Sequence, residues 1–201
     1  MFNHLFPKLT LAVLFFAASI PGFSQAAPSV TQGGFSLAPE VGAGFSDYRF
    51  DFGSIDVHGP TVWADLDYYG PWRLLQGFGM EVEGRDLFYS KPANYSGNLR
   101  QDTAEGGVIY KWRDFHHVRP YGKFLLGYGT LEFNIGDPGY THDSRTIYSP
   151  GFGLEYQVYR HISVRGDYEY QFWPHLFGPN TLNPKGVTIG ASYNFRRSRS
   201  R

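Results

Sequence analysis

The chain has 201 residues with 18 bases, 18 acids, seven histidines and no cysteine, so its formal net charge is zero. Lacking cysteine, it can form no disulfide and run no thiolate chemistry; lacking a basic face in its body, it is not built for nucleic acid. Aromatic residues make up 18% of the chain and glycine 25 positions, and that mixture of rings and small residues points to β-structure in a crowded or lipid setting.

Residues 1–26 read as a secretory signal peptide. His4 and Lys8 precede an apolar run from Leu9 to Ile20, and Ser24 and Ala26 occupy the small-residue positions of a cleavage site. The run is well short of the roughly 20 residues that a spanning helix needs. Of the 18 bases, Lys8, Arg196, Arg197, Arg199 and Arg201 lie outside residues 27–195, so against 18 acids that body carries −5.

The body alternates with a period of two, the mark of strands with two unlike faces. Val41, Ala43 and Phe45 oppose Glu40, Gly42, Gly44 and Ser46; Val62, Ala64, Leu66 and Tyr68 oppose Trp63, Asp65 and Asp67; Phe78, Met80 and Val82 oppose Gly77, Gly79, Glu81, Glu83 and Arg85. Further on, Ala104, Gly106, Val108, Tyr110 and Trp112 oppose Thr103, Glu105, Gly107, Ile109 and Lys111, and Phe124, Leu126 and Tyr128 oppose Lys123, Leu125, Gly127 and Gly129. Three more segments follow: Tyr148 to Val158 against Ser149 to Gln157, Ile162 to Phe172 against Ser163 to Trp173, and Val187 to Phe195 against Thr188 to Asn194. Connections at 51–60, 90–102, 134–145 and 174–183 are long and rich in turn formers, whereas those at 70–74, 113–119 and 160–161 are brief. This pattern predicts an all-β fold, an eight-stranded antiparallel up-and-down barrel over residues 27–195, followed by a basic tail at 196–201.

Alternation alone leaves two solvents open, because a lipocalin-like soluble barrel turns its apolar parity inward and a membrane barrel turns it outward. Glycine placement decides. Gly42, Gly44, Gly77, Gly79, Gly107, Gly127, Gly129, Gly151, Gly153 and Gly190 share the polar parity, where a narrow lumen needs small neighbours for long charged side chains. The rings agree: Phe78, Tyr110, Trp112, Phe124, Tyr156, Tyr193 and Phe195 fall towards one rim of the apolar face, and Phe45, Tyr128, Tyr148, Tyr170 and Phe172 towards the other, as two membrane interfaces select. The apolar parity is therefore expected to meet lipid.

The signal peptide, the eightfold meander, "PYGKFLLGYGTLEF" (120–133) and the closing aromatic Phe195 resemble the OmpA/OmpX-type eight-stranded outer-membrane β-barrel family, within the outer membrane protein beta-barrel domain group, over about residues 34–195. The resemblance implies a place in the bacterial outer membrane, surrounded by its lipid. It also implies recognition of the last strand by the barrel-insertion machinery, a role that falls on Tyr193 and Phe195. The added "RRSRSR" departs from the family pattern.

Candidate chemistry sits mainly on the inward parity, where Glu40, Asp65, Asp67, Glu81, Glu83, Glu105, Glu155, Asp167 and Glu169 face Arg85, Lys111, Lys123 and Arg165. Charges taken out of water must be paired, so a packed polar lumen network is expected; the alternative is a narrow cation-preferring water path, since acids outnumber bases. His142, Ser144 and Glu155 resemble the His-Ser-Glu set of outer-membrane lipid A deacylases, but Arg145 and Thr146 stand where that family has Asn-Ala. His116 and His117 are adjacent and are read as solvated turn residues rather than a metal site. The expected role is structural or surface-interacting, without catalysis, cofactor or nucleic acid, with an extracellular ligand at the long loops. Alternatives from other classes are a lipid-modifying enzyme and an exported lipocalin-like binder.

Overall fold

The computed structural model describes residues 36–51, 55–89, 98–134, 142–176 and 181–195. The expected signal peptide at 1–26 and the basic tail at 196–201 lie outside them.

Eight strands form one closed ring in chain order: β1 (Ser36–Arg49), β2 (Asp56–Tyr69), β3 (Phe78–Tyr89), β4 (Asn98–Lys111), β5 (Val118–Asn134), β6 (His142–Gln157), β7 (Ile162–Tyr170) and β8 (Lys185–Asn194). Every pair is antiparallel, and β1 closes on β8 with Glu40 opposite Asn194 and Arg49 opposite Lys185. Closure leaves no sheet edge along the band that faces hydrocarbon, where water cannot satisfy backbone groups. Among the described residues no helix is long and apolar enough to cross a membrane.

The parities are as the alternation predicts in the half nearest the short turns. Val41, Val62, Met80, Val82, Val108, Leu126, Leu154, Val164 and Ile189 are exposed on the outside, while Glu40, Asp65, Glu81, Glu83, Glu105, Lys111, Lys123 and Arg165 are buried in the lumen. Towards the long-loop end the polarity inverts while the parity continues. Along β1 the inward series Glu40, Gly42, Gly44, Ser46 runs on into buried Tyr48 and Phe50, and the outward series Val41, Ala43, Phe45 runs on into exposed Asp47 and Arg49. The same change places Val57, Leu87, Leu99, Leu131 and Ile147 inside, with Asp86, Arg100, Asp102, Thr130 and Thr146 on the outer parity.

This inversion corrects three of the expected connections. β2 starts at Asp56, β4 at Asn98 and β6 at His142, inside stretches that read as loop at 51–60, 90–102 and 134–145. Once the apolar residues change parity, the outward side turns polar and imitates a loop, although the backbone ladder goes on.

The short turns are tight. Phe115 and Val118 exchange both backbone hydrogen bonds, at 2.8 and 2.9 Å, around His116 (φ 50°) and His117 (φ 69°), a two-residue hairpin of the type that twists with its strands. The β2–β3 connection carries a single 3-10 turn, Arg73–Leu75.

Candidate functional site

The lumen gathers most of the buried charge among the described side chains, and it is layered along the barrel axis; a smaller cluster, Arg100 with Asp86 and Asp102, lies on the outer parity. Nearest the short turns the Lys111 ammonium lies 3.0 Å from Asp65, 3.1 Å from Asp67, 3.5 Å from Glu40 and 3.7 Å from Glu155. Above it Arg165 reaches Glu81 at 2.7 Å, Asp167 at 3.1 Å and Asp65 at 3.5 Å. Lys123 then stands 2.6 Å from Glu83, 3.0 Å from Glu169, 3.2 Å from Glu81 and 3.5 Å from Asp167. Arg85 comes next, 2.7 Å from Glu169, 2.9 Å from Glu105 and paired with Glu83. Each of the four cations is thus shared among three or four carboxylates, which offsets the desolvation that would make any one of these charges costly alone.

Aromatic rings thread this network, in space that glycine placement alone assigns to charge. Arg165 lies between the rings of Trp63 and Tyr121, at 4.8 and 4.7 Å from their centroids, and its Nε donates to the Tyr121 hydroxyl at 2.7 Å. That hydroxyl donates in turn to Asp167 at 2.8 Å. Gly42 is where it is because a Cβ there would enter the Trp63 indole, and Gly129 leaves the same room for Trp173. The glycines on the inward parity therefore make way for rings at least as much as for charged side chains.

Over the charged layers sit two amides and then a dry plug. Gln171 Nε2 donates to Glu105 at 3.1 Å and to Glu169 at 3.3 Å. Its Oε1 accepts from Gln101 at 2.9 Å and from the Trp173 indole at 3.1 Å. Beyond them Tyr48, Phe50, Val57, Leu87, Leu99, Leu131, Ile147, Trp173, Leu176 and Leu182 pack into one apolar cluster. Tyr48 joins the two regions, since its hydroxyl donates to Glu169 at 3.0 Å and Arg85 lies 5.1 Å from its ring centroid. Alternation had marked Trp63, Gln171 and Trp173 as inward but gave them no role, and it missed Tyr48, Tyr121, Gln101 and the plug. A signal was present: the inward parity simply continues past the last charge.

The remaining candidates do not assemble a catalytic centre. Ser144 and Glu155 lie on the same strand but on opposite parities, eleven positions apart, or roughly 35 Å at about 3.3 Å per residue. The Ser144 hydroxyl instead shares a 2.9 Å hydrogen bond with Thr130. The side chain of His142 lies outside the described ones. His116 and His117 are exposed in their hairpin, and among the described residues no group of three or more His, Asp or Glu could hold a metal ion. Tyr193 and Phe195 stand on the outer face beside the seam between β8 and β1, their rings edge to face at 5.2 Å, with the Phe195 amide bonded to the Pro39 carbonyl at 3.0 Å.

A family model described as "Outer membrane protein beta-barrel domain" matches residues 11–195. Among solved structures the chain is similar to the Neisserial surface protein A, with a TM-score of 0.62 and 15% identity over 81% of this chain and 99% of that one. It is also similar to Ail, the attachment invasion locus protein of Yersinia pestis, with a TM-score of 0.54 and 16% identity over 82% of this chain and 100% of that one. Among curated proteins none matches the sequence.

Proposed function

The chain belongs to the outer membrane protein beta-barrel domain family and lies in the bacterial outer membrane, and from that premise we propose that it is a structural and surface-interaction barrel with no catalytic role, its lumen a solid support rather than a passage. The observation that carries this reading is the double closure of the lumen: cation-centred layers near the short turns, and an apolar plug at the long-loop end. An ion would have to break multiply shared salt bridges and then cross hydrocarbon-like packing, and neither step offers it the compensating ligands that a selectivity filter provides. Recognition then belongs to the rim and the loops, which a rigid barrel presents to the cell exterior.

One structure of the Yersinia pestis Ail protein holds the heparin analogue sucrose octasulfate. A sulfated polysaccharide is accordingly the ligand class to offer first to this chain's exterior, where Lys185 stands opposite Arg49 across the β1–β8 seam, the Arg49 guanidinium being paired with Asp56 at 2.6 Å. Tyr193 and Phe195 serve the insertion machinery: they are exposed, their rings touch, and they lie at the end of the strand that closes the ring. Planar-bilayer recording tests the central reading. The expected trace has no long-lived openings, and large stable channels would overturn it.

A further inference from the structure

The short turns differ sharply in character. The β4–β5 turn sets one exposed ring, Phe115, among the exposed polar side chains of Arg113, Asp114, His116 and His117, and the β6–β7 turn exposes Tyr159 beside Arg160. The β2–β3 turn instead presents Trp72, Arg73, Leu74 and Leu75 in succession, with Trp72 68% and Leu74 88% exposed. Trp72 and Leu74 stay mostly uncovered, and the 3-10 turn fixes their presentation through the Leu75 amide bonded to the Trp72 carbonyl at 3.0 Å. In water such a cluster would cost solubility without return.

Its position supplies the return. The turn leads directly into Phe78, whose ring lies 4.8 Å from that of Tyr110, which in turn meets Trp112 edge to face at 5.1 Å. Those three rings form the short-turn rim of the apolar outer face, so the exposed turn residues continue an established lipid-facing surface just past its edge. Trp with neighbouring Leu and a cationic tip is the composition that settles at the boundary between headgroups and acyl chains. Long Arg side chains reach from there to phosphate while their stems stay in apolar surroundings.

We propose that the turn Trp72–Leu75 is an interfacial anchor that folds onto the periplasmic leaflet of the outer membrane, with Trp72, Leu74 and Leu75 in the acyl boundary and Arg73 among phospholipid phosphates. The anchor fixes the depth of the barrel at the β2–β3 side, while His116 and His117, at the tip of the β4–β5 hairpin, stay in water. This holds whatever the exterior loops bind, because it concerns the opposite end of the barrel.

The absence of cysteine makes the test clean. The full chain carrying Leu74→Cys, labelled with an environment-sensitive fluorophore and reconstituted in nanodiscs of phosphatidylethanolamine and phosphatidylglycerol, is compared with Val82→Cys in the middle of the lipid face and His116→Cys at the tip of the β4–β5 hairpin. The expected label at 74 emits nearer to the blue position of 82 than to that of 116. It is quenched by acyl-brominated lipid and resists aqueous iodide several-fold better than the label at 116. Iodide quenching equal to that at 116, with no effect of brominated lipid, overturns the anchor. Gel mobility before and after heating verifies the barrel in each variant, and the same readings from Trp72→Cys decide the matter where labelling at 74 impairs folding.

Discussion

Arg85 on β3 and Glu169 on β7 meet at 2.7 Å, although their strands stand opposite each other in the ring, four places apart in either direction. A contact of that kind spans the lumen and braces the barrel from within. It also blocks the axis at that level.

Removing the cation exposes the cost. Arg85→Met leaves Glu83, Glu105 and Glu169 without the guanidinium that they share, and loss of one partner of a buried charged group costs about 3–5 kcal/mol. Urea unfolding in lipid vesicles should register that loss. Adding Glu169→Gln should restore part of it, with a coupling of about 1–3 kcal/mol between the two sites in a double-mutant cycle. Simple additivity would mean that the pair does not act as a brace.

The plug is expected to behave as a protein core. Trp173→Ala removes the largest fully buried side chain of the plug and should cost about 3–5 kcal/mol. Gly129→Ala, whose new methyl would enter the Trp173 ring, should cost about 1–3 kcal/mol by overpacking. Both are read from the same unfolding curves, and a neutral Gly129→Ala would show that the indole is not held against β5.

Two outward positions on β6 separate lipid from water. Leu154 is exposed on the apolar band, and Thr146 lies on the same parity beyond the ring of Tyr148. Leu154→Arg should destabilise the folded barrel by about 2–4 kcal/mol, whereas Thr146→Arg should cost about 0–1 kcal/mol. Equal costs would contradict the polarity change between them.

At the β4–β5 hairpin, His116 and His117 both hold positive φ, a conformation that costs a side-chain-bearing residue about 1 kcal/mol relative to glycine. Replacing the pair by Asn-Gly suits the turn type and should raise stability by about 1 kcal/mol. No gain in the unfolding midpoint would place a compensating interaction at the histidines.

Phe195→Ala is expected to lower the amount of heat-modifiable barrel assembled in cells while leaving refolding into detergent unchanged. The ring is exposed on the outer face, so its loss removes the proposed recognition feature and little packing. An equal deficit in detergent would assign Phe195 to stability instead.

Much of this architecture is written in local alternation. The eight strands, their order and the outward parity of Val41, Val82 and Ile189 follow from period-two patterning, because each strand meets one greasy and one wet environment through most of its length. The upper ends were hidden for the same reason. Beyond Phe45, Pro60 and Gly84 the two environments exchange places: Asp47 and Asp86 turn the outward parity polar, and His58 looks like loop although it extends the ladder. Which acid meets which base was not legible at all, since partners such as Arg85 and Glu169 are 84 positions apart and are brought together only by closure of the ring. The rings inside the lumen were visible by parity at Trp63 and Trp173, but nothing local tells that Arg165 will be stacked between Trp63 and Tyr121.

The most direct test of the inverted polarity is a cysteine scan along β6 in the otherwise cysteine-free chain, reading reaction with a membrane-impermeant maleimide in reconstituted bilayers. The account predicts rapid labelling at Ser144 and Thr146 and protection at Phe152 and Leu154, while Ile147, Ser149 and Glu155 resist throughout because they lie in the sealed lumen. Uniform labelling of the outward positions from 144 to 154, or ready labelling of the inward ones, would contradict it.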